Sequence, residues 1–400
     1  MLFLHHWLGF ITGLVVFVVS ITGCIFCFQD EIQDAIYSYR KVDVQNKPYI
    51  APSILKQTAL KGSPGSTVNY IYYYGKDRPA VALVSHPKDG ITDVFMNPYT
   101  GIITHTEKPG NNFFIIVEYI HLYLLLPPKV GGLVVGISVI IFVAIMVTGI
   151  ILWWPKRKSD RKRSFNIKWN GRWRRVNYDL HNVLGFYATS IAITLAITGL
   201  SIAFNWMREG IYTTANLGKT YAAEKLVVKS DSLLKTLTMS QPVVDRAFIT
   251  AQGKSPQAQM FLIYMDDAST GIIGVTAYAK ALHFYKSDRY TFDKYTGKLL
   301  KVLPHTKKSP GMKMNNMNYD IHVGQILGLT GKIIAFLASL ICASLPVTGF
   351  IIWWGKRKKS KKNKPRQVMH GRLEKQLAGY SPIKHVIASI HQGKPEKNME

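Results

Sequence analysis

Two histidines of this 400-residue chain begin apolar segments with the same local pattern. His5 is followed by Leu8-Gly9-Phe10 and His181 by Leu184-Gly185-Phe186, and a Thr-Gly dipeptide comes seventeen residues after each histidine. An ionisable side chain beside an apolar segment is costly unless it faces a protein interior and has a partner. The repeated histidine is therefore a candidate functional residue. Gly9 and Gly185, one turn further on, leave room for a flat cofactor or for close helix packing.

Two further histidines, His121 and His322, stand before the other two long apolar segments, at equivalent places in the two halves of the chain. Facing imidazoles alone are too few ligands for a tetrahedral zinc site, and no Cys, Asp or Glu is repeated beside all four histidines. A haem needs only two axial ligands, because the porphyrin supplies the equatorial nitrogens, and haem iron accepts histidine.

We therefore predict two non-covalent b-type haems that transfer electrons. His5 and His181 are the predicted axial ligands of an inner iron, and His121 and His322 those of an outer iron. The alternative is that each histidine is an interfacial residue, hydrogen-bonded to backbone or lipid headgroups. Haem propionates need cationic or hydroxyl partners. The candidates are Arg172, Arg174, Arg175 and Tyr178 for the inner site and Lys129, Lys313 and Lys332 for the outer site.

Four apolar runs must position these histidines, at 7–28, 131–154, 183–206 and 332–354. About 20 apolar residues in a helix cross the ~30 Å hydrocarbon core of a bilayer. The first run is too long for a signal peptide and lacks a small-residue cleavage site. The pattern predicts a multi-pass membrane protein with four transmembrane helices.

The formal net charge of +27 could indicate nucleic-acid binding, but its distribution favours a membrane topology signal. Many of the basic residues lie at 156–175 and 356–375, directly after two Trp pairs. Basic residues beside membrane spans mark the cytoplasmic side, and Trp suits the membrane interface. We expect both basic segments and both termini in the cytoplasm, the long connections outside, and no nucleic-acid partner.

The three cysteines provide no disulfide framework. Cys24 and Cys27 form a C-x-x-C pair, which could be redox-active. Both lie in an apolar run, as does Cys342, and there cysteine behaves as a small hydrophobic residue.

The two outside connections have the same predicted content: a helix, alternating strands and a hairpin. In the first these are 52–60, 68–74, 80–86 and 97–101, and in the second 242–252, 260–265, 274–279 and 295–297. Because each half crosses the membrane twice, we predict a tandem parallel repeat about an axis along the membrane normal. The fold class is a four-helix transmembrane bundle with two small α+β outside domains.

The predicted organisation follows the chain in eight segments. These are transmembrane helix 1 (1–30), outside domain 1 (31–115), a lead-in segment with helix 2 (116–155), a basic cytoplasmic loop (156–176), helix 3 (177–207), outside domain 2 (208–315), a lead-in segment with helix 4 (316–355) and a basic cytoplasmic tail (356–400).

The sequence resembles the PepSY-associated transmembrane-helix family over residues 2–358. The resemblance is carried by LHxxLGF at His5 and His181 with the Thr-Gly that follows, and by Tyr-Thr-Gly at 99–101 and 295–297. His322, followed by Gly328 and Gly331, also fits the pattern. His121 is followed instead by Pro127-Pro128, which predicts a break in its helix.

The resemblance implies a bacterial inner-membrane protein whose outside domains are periplasmic PepSY modules. It also implies a di-haem reductase that converts Fe(III) to Fe(II) in a ferric siderophore or another ferric chelate during iron uptake. No glycine-rich nucleotide-binding fingerprint is visible, so a separate quinol or cytoplasmic flavoprotein would donate the electrons. The alternatives are a non-catalytic membrane protein that binds peptide, protease or envelope partners, and a transporter.

Overall fold

The computed structural model describes residues 2–233 and 240–362, with side chains to residue 356. Residues 1–350 form one unit and residues 351–400 a second. The predicted tail at 356–400 lies mostly outside the described residues, although the last helix continues to Lys362.

The helices and strands alternate along the chain in two rounds. The helices are α1 (Leu2–Cys27), α2 (Gln29–Ile36), α3 (Pro52–Leu60), α4 (Phe113–Tyr123), α5 (Pro128–Trp153), α6 (Arg161–Ser164), α7 (Trp173–Asp179), α8 (Gly185–Ala203), α9 (Asn205–Ala215), α10 (Ala222–Lys225), α11 (Val243–Lys254), α12 (Pro310–His322) and α13 (Gly328–Lys362). The strands are β1 (Thr67–Tyr73), β2 (Ala80–His86), β3 (Gly90–Met96), β4 (Ile103–Glu107), β5 (Met260–Met265), β6 (Ile272–Lys280), β7 (His283–Asp293) and β8 (Leu299–Leu303).

Four helices in the described residues are long and apolar enough to cross a membrane, which confirms the predicted helical membrane fold. They span Leu2–Cys27, Pro128–Trp153, Trp173–Ala203 and Gln325–Lys356. The third is longer than the uncharged run predicts, since α7 joins α8 through a π-helical turn at Leu180–Leu184.

Two short helices lead into spanning helices. α4 ends at Tyr123, and the chain reverses through Leu124 and Leu125, both with positive φ, before Pro128 starts α5. Pro128 occupies the first turn of the new helix, where its missing N–H costs nothing. In the second half α12 ends at His322, and Gly324 with φ +77° begins the reversal before α13.

The eight strands form one antiparallel sheet in the order β4-β3-β2-β1-β5-β6-β7-β8. The strands of the two predicted outside domains therefore share one sheet, because β1 pairs with β5 and Tyr70 lies opposite Tyr264. Without this pairing, both strands would have an edge of unsatisfied backbone groups. Helices α3 and α11 cover one face of the sheet, where Tyr73 stacks on Phe248 with ring centres 4.7 Å apart.

Candidate functional site

His121 on α4 and His322 on α12 face each other at one end of the bundle. Their ring centres are 6.1 Å apart, and the planes cross at 66°. Both rings line a cavity with about 1390 Å³ of atom-free space, part of it open to the surface. All four spanning helices supply its largely apolar wall, which includes Val19, Gly23, Gly136, Phe142, Leu195, Gly199, Ser339 and Cys342. The structure thus brings the two predicted outer ligands together.

His5 on α1 and His181 in the π-helical turn lie at the other end of the bundle. The two rings are close enough to interact electrostatically. On α1, His5 is seventeen residues from Thr22, which contacts His121. At about 1.5 Å per residue, the two histidine pairs are separated by roughly 25 Å along the helix.

Each outer histidine is held by the Thr-Gly dipeptide of a neighbouring helix. His121 Nδ1 lies 3.1 Å from Thr22 Oγ1 and 2.9 Å from the Val19 carbonyl oxygen. His322 Nδ1 lies 3.0 Å from both Thr198 Oγ1 and the Leu195 carbonyl oxygen. Since a carbonyl oxygen only accepts hydrogen bonds, Nδ1 must carry the proton in both rings.

The inner histidines are held in the same way. His5 Nδ1 lies 3.2 Å from Thr148 Oγ1, and His181 Nδ1 lies 2.9 Å from Thr348 Oγ1. The backbone carbonyls of Ile145 and Leu345 also lie close to the rings of His5 and His181, respectively.

Each of the four threonine hydroxyls already donates its own proton in a hydrogen bond. Each donates to a carbonyl one turn earlier in its helix; for example, Thr198 Oγ1 donates to Thr194 at 2.8 Å and Thr148 Oγ1 to Ile145 at 3.0 Å. Each hydroxyl oxygen can therefore accept from Nδ1–H. The tautomer is fixed, and the Nε2 lone pair of every histidine is left for another partner. Metal-binding histidines show this arrangement, with the second ring nitrogen donating to a fixed acceptor.

The glycine of each dipeptide provides space for the imidazole. A Cβ added to Gly23 would lie 3.3 Å from Cε1 of His121, and one on Gly199 would lie 3.0 Å from Cε1 of His322. At the inner pair, a Cβ on Gly149 would lie 3.3 Å from His5 Cε1, and a Cβ on Gly349 would lie 3.2 Å from His181 Cε1. Any larger residue would push against the ring, so the Thr-Gly pair acts as a cradle for the histidine.

The family model of the PepSY-associated TM region matches residues 2–356. The chain belongs to this family. A comparison with curated proteins gave no match. The resemblance drawn from the sequence is thus confirmed, and the Thr-Gly cradles describe how this PepSY-associated TM protein positions its histidines.

Asparagines add a second contact in the latter half of the PepSY-associated TM protein. Asn177 Nδ2 donates to the Thr348 carbonyl at 3.1 Å, and Asn318 Nδ2 donates to the Thr198 carbonyl at 2.9 Å. Each asparagine lies one helical turn before its histidine, so both side chains contact the same Thr-Gly cradle. The carboxylate of Asp320 is fully buried and accepts from the backbone N–H groups of Phe284 and Tyr285. This contact fixes α12 against β7.

The sequence interpretation missed the threonines at 148 and 348 and both asparagines. Two repeated motifs carried the signal. Val-Thr-Gly precedes the Trp pairs at 147–149 and 347–349, and Asn-Tyr-Asp-x-His recurs at 177–181 and 318–322. Their meaning depends on contacts between helices distant in sequence, which spacing alone does not reveal.

Two of the predicted propionate partners form ion pairs with carboxylates instead. Lys332 is buried, and its Nζ lies 2.8 Å from a carboxylate oxygen of Glu31. Arg175 Nε lies 2.8 Å from Asp179. The others are exposed, apart from the half-buried Lys313; they are Arg172, Arg174, Tyr178 and Lys129.

The three cysteines are free thiols in the helical bundle. Cys27 and Cys342 line the outer cavity, and Cys24 Sγ donates to the Phe336 carbonyl at 3.5 Å. Among the described residues, no group of three or more His, Cys, Asp or Glu side chains could hold a bare metal ion.

Proposed function

We propose that this protein carries electrons across the membrane through two b-type haems. His5 and His181 would hold one haem and His121 and His322 the other. The observation that carries the proposal is the Nδ1 contact with a Thr-Gly cradle, which occurs at all four histidines. Each contact leaves Nε2 unprotonated, as an iron ligand requires, and at the outer pair the two rings also face each other.

The outer pair supports a haem by its dimensions. An iron between two imidazoles, with metal–nitrogen bonds of about 2 Å on each side, requires ring centres roughly 6 Å apart. The observed separation is 6.1 Å. The apolar wall of the cavity suits a porphyrin face.

A haem in each position would supply reversible one-electron Fe(III)/Fe(II) chemistry. The residues of the chain would bind each haem, orient its ligands and exclude water. The histidines would provide the axial nitrogens, and the cradles would fix ring orientation and raise the basicity of Nε2. The apolar cavity wall would exclude water, which tunes the reduction potential.

The direction of transfer follows from the proposed topology. The chain would be a tandem parallel repeat with PepSY-like modules forming the sheet, in the bacterial inner membrane. Basic segments and both termini would face the cytoplasm, and the sheet the periplasm. Electrons would then enter at the inner pair and leave at the outer pair. We propose a ferric siderophore or similar ferric chelate as the acceptor, since reduction to Fe(II) weakens binding by hard oxygen ligands.

Purified protein tests the proposal in two steps. Haem extraction should give two haems per chain, and reduction with dithionite should shift the Soret band. In proteoliposomes with reductant sealed inside, an Fe(II) indicator outside should then report reduction of an added ferric hydroxamate. Colourless protein from haem-supplemented cells would contradict the proposal and would favour a non-catalytic module that binds peptide or envelope partners.

A further inference from the structure

A basic and aromatic surface lies on the segment between α5 and α8 and includes the start of α7. We call it the Trp173 surface, and its exposed members are Lys168, Trp169, Arg172, Trp173 and Arg174. Trp169 is 71% exposed and Trp173 is 64% exposed. Large aromatic side chains in water are costly, and tryptophan and arginine are enriched among the residues that dominate protein–protein binding.

The segment that carries this surface is anchored to the bundle. Phe165 packs against both Trp153 and Phe186, with ring centres 4.9 Å and 5.2 Å away. The backbone N–H of Lys168 donates to Asp179 at 3.2 Å, and the same carboxylate pairs with Arg175. The Trp173 surface therefore keeps a defined position at the end of the third spanning helix.

The distance of Trp173 from the apolar part of its helix argues against burial of the indole in lipid. The uncharged run begins at Val183, ten residues after Trp173 on the same continuous helix. Ten residues rise about 15 Å, and a helix tilt of about 20° shortens this to about 14 Å. The headgroup layer on each side of a bilayer is only about 5–8 Å thick. The exposed indole thus projects into water beyond the headgroups.

The surface is also close to the inner histidines. Trp173 and His181 are eight residues apart on this helix, a rise of about 12 Å. A protein seated on the Trp173 surface would approach the inner pair without any rearrangement of the bundle.

We propose that the Trp173 surface docks an acidic one-electron carrier protein, and this inference rests on the proposed function. Residues 156–175 contain ten basic residues and one acidic residue, Asp160, so their charge complements an acidic partner. Such complementarity raises association rates and suppresses wrong partners. The carrier would lose one electron and the haem iron proposed for His5 and His181 would gain it, with no transfer of a proton or leaving group.

Binding of an acidic flavodoxin to the protein in nanodiscs of zwitterionic lipid tests this surface. The double variant Arg172→Glu/Arg174→Glu and the variant Trp173→Ala should each weaken binding at least tenfold, and added salt should weaken wild-type binding. Matched controls are Trp206→Ala and Lys219→Glu, which change exposed residues that follow the other end of the third spanning helix. Equal binding by wild type and surface variants, or equal weakening in the controls, would overturn the proposal.

A lipid role is distinguished with brominated phospholipids. Wild type and Trp173→Phe should lose the same absolute fluorescence intensity in nanodiscs containing anionic brominated lipid, because Trp173 lies outside the bilayer and contributes nothing to the quenched emission. Quenching of Trp173 would overturn protein docking in favour of headgroup binding. The Soret band of each sample reports separately on the proposed function. If the samples contain their full haem and the surface variants bind the flavodoxin as tightly as wild type does, the docking proposal fails while the proposed function stands.

Discussion

The first half of the chain, residues 2–153, and the second half, residues 173–350, hold their histidines with the same cradle but support it differently. In the second half Asn177 and Asn318 add a hydrogen bond to each cradle. In the first half Val117 occupies the position one turn before His121. The hydroxyl contact to Nδ1 is common to all four sites, so it is the feature that the proposed ligand role requires. The amide contacts stabilise only one side of each pair.

The inner histidines also differ in helix geometry. His5 lies in a regular α-helix, whereas His181 lies in a π-helical turn. A π turn accommodates one extra residue and often marks a functional site. The turn sets the rotation of His181 relative to Thr198 further along the same helix, so both contacts depend on it.

The largest expected effect comes from removing the π turn. Deletion of Asn182 should restore a regular α-helix and move His181 out of the position that it holds in the wide turn. The inner haem should be lost while the outer haem remains, as measured by haem content and reduced-minus-oxidised spectra. The control is Asn182→Ala, which keeps the residue count. Retention of both haems after the deletion would show that the turn does not position His181.

Substitution of the cradle threonines compares the halves directly. Thr22→Val and Thr198→Val remove the acceptor for Nδ1–H of His121 and His322, and each should weaken outer-haem affinity about 10–100-fold. Haem transfer to apomyoglobin measures this affinity. Thr→Ser at either position retains the hydroxyl and should behave like wild type. A large effect in one half alone would break the proposed equivalence of the cradles.

The asparagine contacts should matter less. Asn318→Ala removes a buried hydrogen bond and should lower stability by about 1–3 kcal/mol, with earlier loss of the outer haem on heating. Asn177→Ala should act in the same way at the inner haem. The comparison variant is Val117→Ala, which loses packing but no hydrogen bond. If Val117→Ala releases the outer haem as readily as Asn318→Ala, packing rather than the amide contact explains the effect.

The smallest effect concerns the chain reversals after the outer histidines. Leu124 has φ 54°, a conformation that costs a non-glycine residue about 1–2 kcal/mol. Leu124→Gly should therefore raise thermal stability slightly, partly offset by the greater freedom of glycine in the unfolded chain. Gly324→Ala should lower the stability of the protein. The added Cβ would clash with the Gly331 carbonyl, and the positive φ at this position is strained for alanine. A stability loss for Leu124→Gly would mean that the leucine packing outweighs the strain.

Local patterns predicted the spanning helices and much of the sheet. Apolar runs mark the helices, and alternation marks β2 and β5, which the sequence places at 80–86 and 260–265. The pairing of β1 with β5 joins segments far apart in the chain, and no local pattern specifies it. The histidines were predictable because their spacing repeats. The threonine and asparagine contacts were not, since they cross between helices, and the π turn leaves no mark in the apolar run.

The central claim is that the histidines act as two couples. The most direct measurement is the haem content and spectrum of the four single histidine-to-alanine variants, beside wild type. The account predicts that His5→Ala and His181→Ala lose one and the same haem, while His121→Ala and His322→Ala lose the other. Loss of different haems from His5→Ala and His181→Ala would contradict it.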